Sequence, residues 1–329
     1  MSTGVHIPKI SVLLPIYNAE SYLRDCLDSI LNQTFQDFEV IALNDASTDS
    51  SLSILEQYAQ RDARIKIFCN SSNQKLAATL NKGLKIARSS LIARMDADDI
   101  AFPRRLECQY DFMQCHPEVA VCGTGVQVLG TDTVWTVSEN DALIRAEMFF
   151  YSPLLHPTVI YRKHIICQHG GYSTKILYAQ DFELWHRLGK DPNIIFANIN
   201  IPFLFYRITD ADKHSSYKII QTDIANNIRK QQLELLGLRP TDAELKLHNT
   251  IALKKNINTF PQLISAYRWL RYLAKLPDVT QEFRDICQEH WRYICRESSC
   301  KPISYPLYLL LPPSKEKWKM LKKRLFAKK

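Results

Sequence analysis

Residues 9–44 contain a strand, a helix and a second strand in succession, reading "KISVLLPIYNAESYLRDCLDSILNQTFQDFEVIALN". Two parts, "KISVLLPIY" and "FEVIALN", are apolar runs of the length expected for buried strands. Between them, "AESYLRDCLDSILNQ" predicts an amphipathic helix, because its apolar residues fall on one stripe: Tyr22, Leu23, Leu27, Ile30 and Leu31. Strands joined through a helix in this way predict a crossover unit with parallel strands.

The same alternation continues to residue 95. A helix through "SSLSILEQYAQ" is expected to be capped by Ser47 or Thr48. It is followed by the strand "RIKIFCN", the helix "LAATLNKGLKIAR" and the strand "SLIARM". We therefore predict an α/β fold with a mixed, mostly parallel sheet flanked by helices. Ligands of such sheets bind outside the carboxyl ends of the strands, and Asn18, Asp45 and the acids at 96–99 fall at such ends.

The pattern changes along the chain and predicts three parts. Strands and short helices mix beyond residue 115, and from residue 216 four helical segments follow, punctuated by Pro240, Pro261 and Pro277. The predicted parts are an α/β domain at 1–214, a helical region at 215–312 and a basic tail at 313–329.

Composition indicates a globular protein of the cytoplasm. The 329 residues are 46% hydrophobic and 23% charged, which is ordinary for a globular chain. Only 9 glycines are present, which argues against glycine-rich nucleotide loops. The 9 cysteines are scattered without a C-x-x-C pair, a pattern typical of reduced thiols. No signal peptide and no apolar run long enough to span a bilayer are recognisable, so we expect a cytoplasmic location.

The charge is concentrated at the C-terminus. Residues 301–329 hold nine Lys and Arg and one acid, which accounts for the whole net charge of +8. The segment "PPSKEKWKMLKKRLFAKK" can form a helix with Trp318, Leu321, Leu325 and Phe326 on one face. Two interpretations stay open: a peripheral helix on the anionic inner face of the cytoplasmic membrane, or a solvated tail.

Three carboxylates crowd the end of the strand "SLIARM", in "DADD" at 96–99. Such a cluster either binds a divalent cation or is a solvated turn. Mg²⁺ and Mn²⁺ are typically held by one or two carboxylates together with water and substrate phosphates, which favours a metal–diphosphate site here. The nearby Arg104 and Arg105 either add positive charge to that site or cap the surface.

Several segments over residues 9–210 resemble one known family. The stretch "ISVLLPIYNAESYLRDCLDSILNQTFQDFEVIALNDASTDSS" resembles the opening of family 2 glycosyltransferases, which have the GT-A fold. "DADDIAFPRRLECQ" resembles their D-x-D segment, and "GGYSTKILYAQDFELWHRL" resembles the later segment that carries the catalytic base. The last third of the chain is not covered by this resemblance.

The resemblance implies a set of site residues. Asp98 would bind Mn²⁺ or Mg²⁺, and Asp181 would be the general base, with Glu183 as a second candidate. The residues expected to contact the nucleotide-sugar are Pro15, Tyr17, Asn18, Asp45, Lys75, Asn81, Asp96 and Arg207. Structural alternatives stay open for some of them. Asn81 and Gly83 would also suit a plain helix, and Asp181 would also suit helix capping.

The implied activity is that of a metal-dependent inverting glycosyltransferase. It would move a sugar, with UDP as the expected nucleotide, to a hydroxyl of a glycan or lipid-linked oligosaccharide in cell-surface polysaccharide synthesis. One alternative is a catalytically inactive GT-A protein that binds carbohydrate or acts as a scaffold. A sugar-nucleotide pyrophosphorylase fits less well, because the first strand is followed by "PIYNAES" and not by a glycine-rich loop. No specific nucleic-acid partner is expected, since residues 1–300 are neutral overall.

Overall fold

The structure is a computed structural model that describes residues 6–208 and 215–298. Within these residues the strands belong to one sheet. The strands are β1 (Ile10–Ile16), β2 (Phe38–Asn44), β3 (Ile65–Cys69), β4 (Leu91–Arg94), β5 (Ile100–Ala101), β6 (Val119–Val128), β7 (Val134–Trp135), β8 (Ile160–Arg162) and β9 (Ile195–Tyr206). The helices are α1 (Leu23–Leu31), α2 (Ser51–Arg61), α3 (Lys75–Ile86), α4 (Arg105–Cys115), α5 (Asp141–Glu147), α6 (Lys163–Gln168), α7 (Gln180–Leu188), α8 (Ser215–Leu235), α9 (Asp242–Ala252), α10 (Phe260–Ala274) and α11 (Gln281–Glu297), and one 3₁₀ turn covers His156–Thr158.

The sheet confirms the predicted mixed, mostly parallel arrangement. In the described residues its order is β3-β2-β1-β4-β8-β6-β9-β5, with β7 paired to β6. The pairs β1–β2, β1–β4, β2–β3 and β6–β9 are parallel, whereas β8 runs antiparallel to both of its neighbours. The first four strands are linked by helices, as the alternation of apolar runs and amphipathic segments predicts. Consequently β1, β2 and β4 end at the same edge.

Helices cover the parallel strands closely. Residues of β1 and β2 are buried on both faces, which explains why their sequences are continuous apolar runs. On α3, a methyl group at Gly83 would lie 2.7 Å from Leu43 Cδ1 and 3.1 Å from Leu13 Cδ2. Gly83 therefore lets the helix approach the sheet, which favours the packing interpretation of this residue over a role in the nucleotide pocket.

One predicted cap is wrong. Helix α2 begins at Ser51, after Ser50, whose side chain makes no capping hydrogen bond; the Ser51 amide donates to Asp49 Oδ1 at 3.0 Å. Ser47 and Thr48 are used instead to join two loops: the Ser47 hydroxyl accepts from the amide of Asn18 at 3.0 Å, and the Thr48 amide donates to Asn18 Oδ1 at 2.8 Å. The hydrogen bonds to Asn18, about 30 residues away in sequence, thus replace the local helix cap that was expected from Ser47 or Thr48.

Two compact units make up the described chain. The first holds the sheet and comprises the described residues up to Ile144 and within Ser152–Ala225; the second comprises Arg145–Tyr151 and the described residues from Asn226 onward. The core of the second unit is formed by side chains of α9, α10 and α11, among them Ile251, Leu263, Leu270, Phe283 and Trp291. The predicted boundary at residue 214 stays a prediction.

Among the described residues, every helix is too short or too polar to cross a bilayer. The amphipathic helix predicted at 313–329 lies outside the described residues.

Candidate active site

Loops after the parallel strands bring the first predicted nucleotide contacts together. Pro15 lies near the end of β1, where its missing N–H costs no bond to β4, because that pairing stops at Leu13. Tyr17 follows β1 and is 52% exposed, so its ring is free to stack on a base. Asn18 has a positive φ of 50° and holds the loop after β2 through its side chain. Pro15, Tyr17 and Asn18 thus lie beside the end of β2.

Asp45 directly follows β2 and is nearly fully buried. Its carboxylate accepts from Asn70 Nδ2 at 2.7 Å, from the Gln74 amide at 2.8 Å and from the Lys75 amide at 2.9 Å. These bonds fix the start of α3 against β2. Lys75 itself is exposed there, with a positive φ of 69°. The structure therefore brings Asp45 and Lys75 together.

Asn81 serves a second purpose that the sequence did not reveal. Its Nδ2 donates to the Tyr172 carbonyl at 2.8 Å, and its Oδ1 accepts from the Tyr172 amide at 2.9 Å. Gly171 has a φ of +69°, and a methyl group there would lie 2.5 Å from Asn81 Oδ1. Asn81 thus clamps the Gly171–Tyr172 turn onto α3, across more than 90 residues.

The predicted metal residues converge after β4. One carboxylate oxygen from each of Asp96, Asp98 and Asp99 lies within 4.8 Å of the others. Asp96 is held by Arg94, whose Nη1 donates to Asp96 Oδ2 at 2.5 Å and whose Nη2 donates to Oδ1. Arg94 is only 2% exposed, although it lies in an otherwise apolar strand. The buried guanidinium of Arg94 therefore holds one of the three acids, Asp96, in place.

Asp99 is the most constrained of the three acids. It is 1% exposed, its Oδ1 accepts from the Arg207 amide at 2.9 Å, and its Oδ2 has no hydrogen-bond partner. Burial, and then the charges of Asp96 and Asp98, raise the pKa of Asp99 to about 8. A divalent cation beside Asp99 would favour its ionised form and satisfy the unpaired oxygen, so these residues fit such an ion.

Arg207 joins the far strand to this cluster. Besides its amide bond to Asp99, its Nε donates to the carbonyl of Asp98 at 2.8 Å. Its guanidinium lies 4.6 Å from the centre of the Tyr22 ring and 3.7 Å from Asp25 Oδ2. The predicted substrate contact is thus placed at the acid triplet. Arg105, in contrast, is not a surface cation, because it is fully buried and donates to the Arg94 carbonyl at 2.6 Å, while Arg104 is exposed and pairs with Glu107.

Asp181 lies in the first turn of α7, in the same unit as the triplet. The helix follows Ala179, which adopts a left-handed conformation with φ of 55°. The Asp181 Oδ2 accepts from the Ser152 hydroxyl at 3.1 Å. Burial raises the pKa of this carboxyl above its usual range, against the opposing effects of the Phe182 amide, Ser152 and Arg94. A raised pKa brings a carboxylate closer to the range in which a general base works.

Glu183, the second candidate for the base, and the buried ring of His156 both have structural partners. Glu183 pairs with Arg187 through two bonds of 2.8 and 2.9 Å, and Arg187 also donates to the Gly171 carbonyl at 2.7 Å. His156 is buried beside the Tyr172 hydroxyl at 3.0 Å, and burial, followed by the charge of Arg94, lowers its pKa well below the ordinary value. These contacts favour Asp181 over Glu183 as the base and support a packing role for His156.

Sequence reasoning missed Arg94 and Ser152 as parts of this site. A signal was present for Arg94, since a charged residue inside a buried apolar strand needs a partner. Ser152 gave none, because its contact with Asp181 spans 29 residues.

A mostly parallel sheet with an acid triplet at its carboxyl edge and a half-buried aspartate at a nearby helix start has the features of a GT-A glycosyltransferase. Comparison with known proteins agrees. Residues 11–177 match the family description "Glycosyl transferase family 2", and the chain belongs to that family. It is a glycosyltransferase with the GT-A fold and a helical C-terminal region.

Relatives and solved structures give the same result. The O-antigen biosynthesis glycosyltransferase WbnJ of Escherichia coli is 32% identical over 212 residues, covering 63% of this chain and 82% of WbnJ. The S. aureus protein TarS in complex with UDP-GlcNAc superposes with a TM-score of 0.58 at 18% identity, covering 87% of this chain and 85% of that chain. The mannosyltransferase PcManGT of Pyrobaculum calidifontis, in complex with GDP-Man and Mn²⁺, gives a TM-score of 0.55 at 16% identity, covering 88% and 86%. At these identities the two structures show a shared fold.

Proposed function

We propose that this glycosyltransferase moves a sugar from a nucleotide-diphosphate donor, with UDP as the nucleotide, to a hydroxyl group of a glycan or lipid-linked oligosaccharide. The observation that carries the proposal is the acid triplet, with three carboxylates within 4.8 Å of one another at the edge where β1, β2 and β4 end. Tyr17, Asn18 and Asp45 border that edge and would contact the nucleoside. Asp98, with Asp96 and Asp99, would hold Mn²⁺ or Mg²⁺.

The relatives support the biological setting and the donor. WbnJ is named for O-antigen biosynthesis, and a further relative, AmsE of Erwinia amylovora, for amylovoran biosynthesis. On that basis we place the reaction in cell-surface polysaccharide synthesis, on the cytoplasmic side. UDP is favoured because TarS was solved with UDP and with UDP-GlcNAc, although PcManGT holds GDP-Man.

Asp181 would act as the base in a single displacement. A proton passes from the acceptor hydroxyl to an oxygen of Asp181 as that hydroxyl oxygen bonds to the anomeric carbon, and the bond from this carbon to the diphosphate breaks. General-base assistance of this kind is worth about 10²–10⁴-fold in rate. When bound, a divalent cation would stabilise the negative charge that grows on the departing diphosphate. One displacement inverts the anomeric centre, so an α-linked donor gives a β-glycoside.

The alternative of an inactive scaffold or carbohydrate-binding protein predicts that the acids have lost their arrangement. Asp98 and Asp181 are both present, and Asp96 and Asp99 are held by Arg94 and Arg207. These contacts favour an enzyme.

Thermal unfolding tests the donor site. The protein is heated with UDP, GDP or dTDP, each with and without Mn²⁺; a ligand at about 100 times its dissociation constant adds about 2.7 kcal/mol to the free energy of unfolding. We expect stabilisation by UDP that depends on Mn²⁺. Stabilisation by GDP or dTDP alone would correct the nucleotide, and no stabilisation by any of them would favour the inactive alternative. NMR of the product's anomeric proton then tests inversion, and retention of configuration would refute the single displacement.

A further inference from the structure

Helix α10 of the second unit carries its positive charges on one exposed face. Its outward residues are spaced by four, four, three and four positions: Phe260, Ile264, Arg268, Arg271 and Lys275, the last at the C-cap. This spacing places them on one side of a helix. The opposite side is buried through Leu263, Ala266, Trp269, Leu270 and Leu273. We call the five outward residues the α10 stripe.

The α10 stripe is cationic without compensation. From residue 254 to residue 277 the chain has five Lys and Arg and no Asp or Glu. Among the residues that the structure describes, Arg268, Arg271 and Lys275 form no ion pair with a carboxylate, and Arg271 donates only to the Tyr267 hydroxyl, at 3.1 Å. The neighbouring α11 differs, since its sequence holds four acids and three bases. Unpaired cations on one helix face provide charge complementarity to an anionic partner.

Exposed apolar groups accompany the charges. Phe260 is 47% exposed at one end of α10 and Tyr272 is 50% exposed near the other. Two concavities, of about 640 and 460 Å³, border the helix, and Arg268 and Tyr272 line both. The larger concavity is also lined by the apolar side chains of Leu247, Ile257 and Trp269. Its lining further includes the cation of Lys246 and the carboxylate of Glu244. Guanidinium groups beside apolar and aromatic surface suit a phosphate attached to a hydrocarbon.

We propose that the α10 stripe is a membrane-docking surface that binds anionic phospholipid headgroups, with Phe260 and Tyr272 at the headgroup level. Aromatic side chains are enriched at membrane–water interfaces, where their rings lie at the level of the headgroups. Juxtamembrane basic residues gain their affinity from the negative surface potential of anionic lipid. The sequence of the same unit continues into residues 301–329, whose net charge of +8 has the same sign. The inference is independent of the proposed chemistry, because docking requires neither donor nor metal.

Vesicle co-sedimentation of the full chain tests the proposal. One variant carries Arg268→Glu, Arg271→Glu and Lys275→Glu; its control carries Lys66→Glu, Lys230→Glu and Arg239→Glu, which reverses the same number of exposed charges elsewhere. Each basic residue near an anionic surface is worth about fivefold in partitioning, so the loss of three should weaken binding to phosphatidylglycerol vesicles by at least about a hundredfold. The three added carboxylates should weaken it further. The control should lose far less. A milder variant with Gln at the same three positions guards against misfolding, and melting curves verify both.

Each other outcome would overturn the proposal. Equal binding by the α10 variant and the control would assign the affinity to another segment, such as the tail. Equal binding of the unchanged protein to phosphatidylglycerol and phosphatidylcholine vesicles would show that binding does not depend on an anionic headgroup. Soluble polyphosphate can be added to compete with the labelled vesicles for the protein. If it displaces the protein as strongly as unlabelled phosphatidylglycerol vesicles do, at equal phosphate concentration, the partner would be a soluble polyanion.

Discussion

Two buried polar sites, one in each unit, differ in how their polar atoms are satisfied. In the second unit His248 is fully buried, yet both ring nitrogens are satisfied: Nε2 lies 2.8 Å from the Phe149 carbonyl, and Nδ1 accepts from Trp269 Nε1 at 3.2 Å. In the first unit three carboxylates are crowded within 4.8 Å, and Asp99 Oδ2 is buried without a partner.

The difference separates polar residues that stabilise a fold from those kept for a ligand. A neutral histidine whose two ring nitrogens are both hydrogen-bonded contributes to packing and needs no further partner. Crowded carboxylates raise one another's pKa and cost stability until a cation neutralises them. A buried, unsatisfied carboxylate at a strand edge is therefore the better sign of function. Substitutions that change one of the two sites at a time should separate these roles.

The largest effect is expected for Asp98→Ala. If Asp98 holds the metal, its loss removes charge stabilisation worth several kcal/mol, so the transfer rate should fall by about 10⁴-fold or more. Sugar transfer and melting temperature are measured together, and the fold should persist. Asp132→Ala removes an exposed acid as a control and should leave the rate unchanged. An unchanged transfer rate in the Asp98 variant would show that this residue does not hold the metal.

A loss of about 10²–10⁴-fold in rate is expected for Asp181→Asn, because the amide cannot accept the proton. The substitution preserves size and an oxygen for the Ser152 hydroxyl, so Mn²⁺-dependent UDP binding should be retained. Asp191→Asn, at an exposed acid just beyond α7, is the matched control. Unchanged rates in the Asp181 variant, or an equal loss in the control, would argue for mere helix capping.

Acid should destabilise the second unit through its buried histidines. Burial lowers the pKa of His248 to about 4 and, together with the charges of Lys254 and His248, lowers that of His290 to about 3, both below the ordinary value of 6.5. The unfolded chain therefore binds more protons than the folded chain below pH 6.5. The stability that comes from the neutral rings is complete above that pH and is lost as the pH falls toward 4.

His290→Leu should weaken this acid sensitivity by about 1.4 kcal/mol per pH unit between pH 6 and 4. The ring lies 4.1 Å from that of Phe150, so an apolar replacement keeps the packing. Urea midpoints at pH 7.5, 5.5 and 4.5 measure it. His164→Leu, at an exposed ring, is the control and should retain the full acid slope. If the His290 variant kept the full acid slope, the titrating group would lie elsewhere.

The smallest effect concerns backbone strain beside the site. Ala46 has a φ of 57°, a conformation that costs an L-residue about 1–2 kcal/mol and glycine almost nothing. Ala46→Gly should therefore stabilise the protein by up to about 1 kcal/mol after the larger entropy loss of glycine. Ala59→Gly, within α2, should destabilise it by about 0.5–1 kcal/mol. A melting temperature lowered equally by both would mean that the loop after β2 is not strained.

Much of the first unit could be predicted from its sequence. Strands β1 to β4 and the helices between them follow from local periodicity, and the acids at 96–99 follow from their place at a strand end. Contacts between residues far apart in the chain leave no such pattern in the local sequence and could not be predicted. The clamp of Asn81 on Tyr172 and the bond from Ser152 to Asp181 both depend on residues far apart in sequence. Cap choice at α2 failed for the same reason.

The central claim is that the acid triplet binds a divalent metal that in turn binds a nucleotide diphosphate. Electron paramagnetic resonance measures it directly, because free Mn²⁺ gives a sharp signal that weakens on binding. Adding UDP to the protein with Mn²⁺ should lower the free signal well beyond what UDP achieves alone, and Asp98→Ala should abolish the difference. A free Mn²⁺ signal that is the same with the unchanged protein, with the Asp98 variant and with UDP alone would contradict the account.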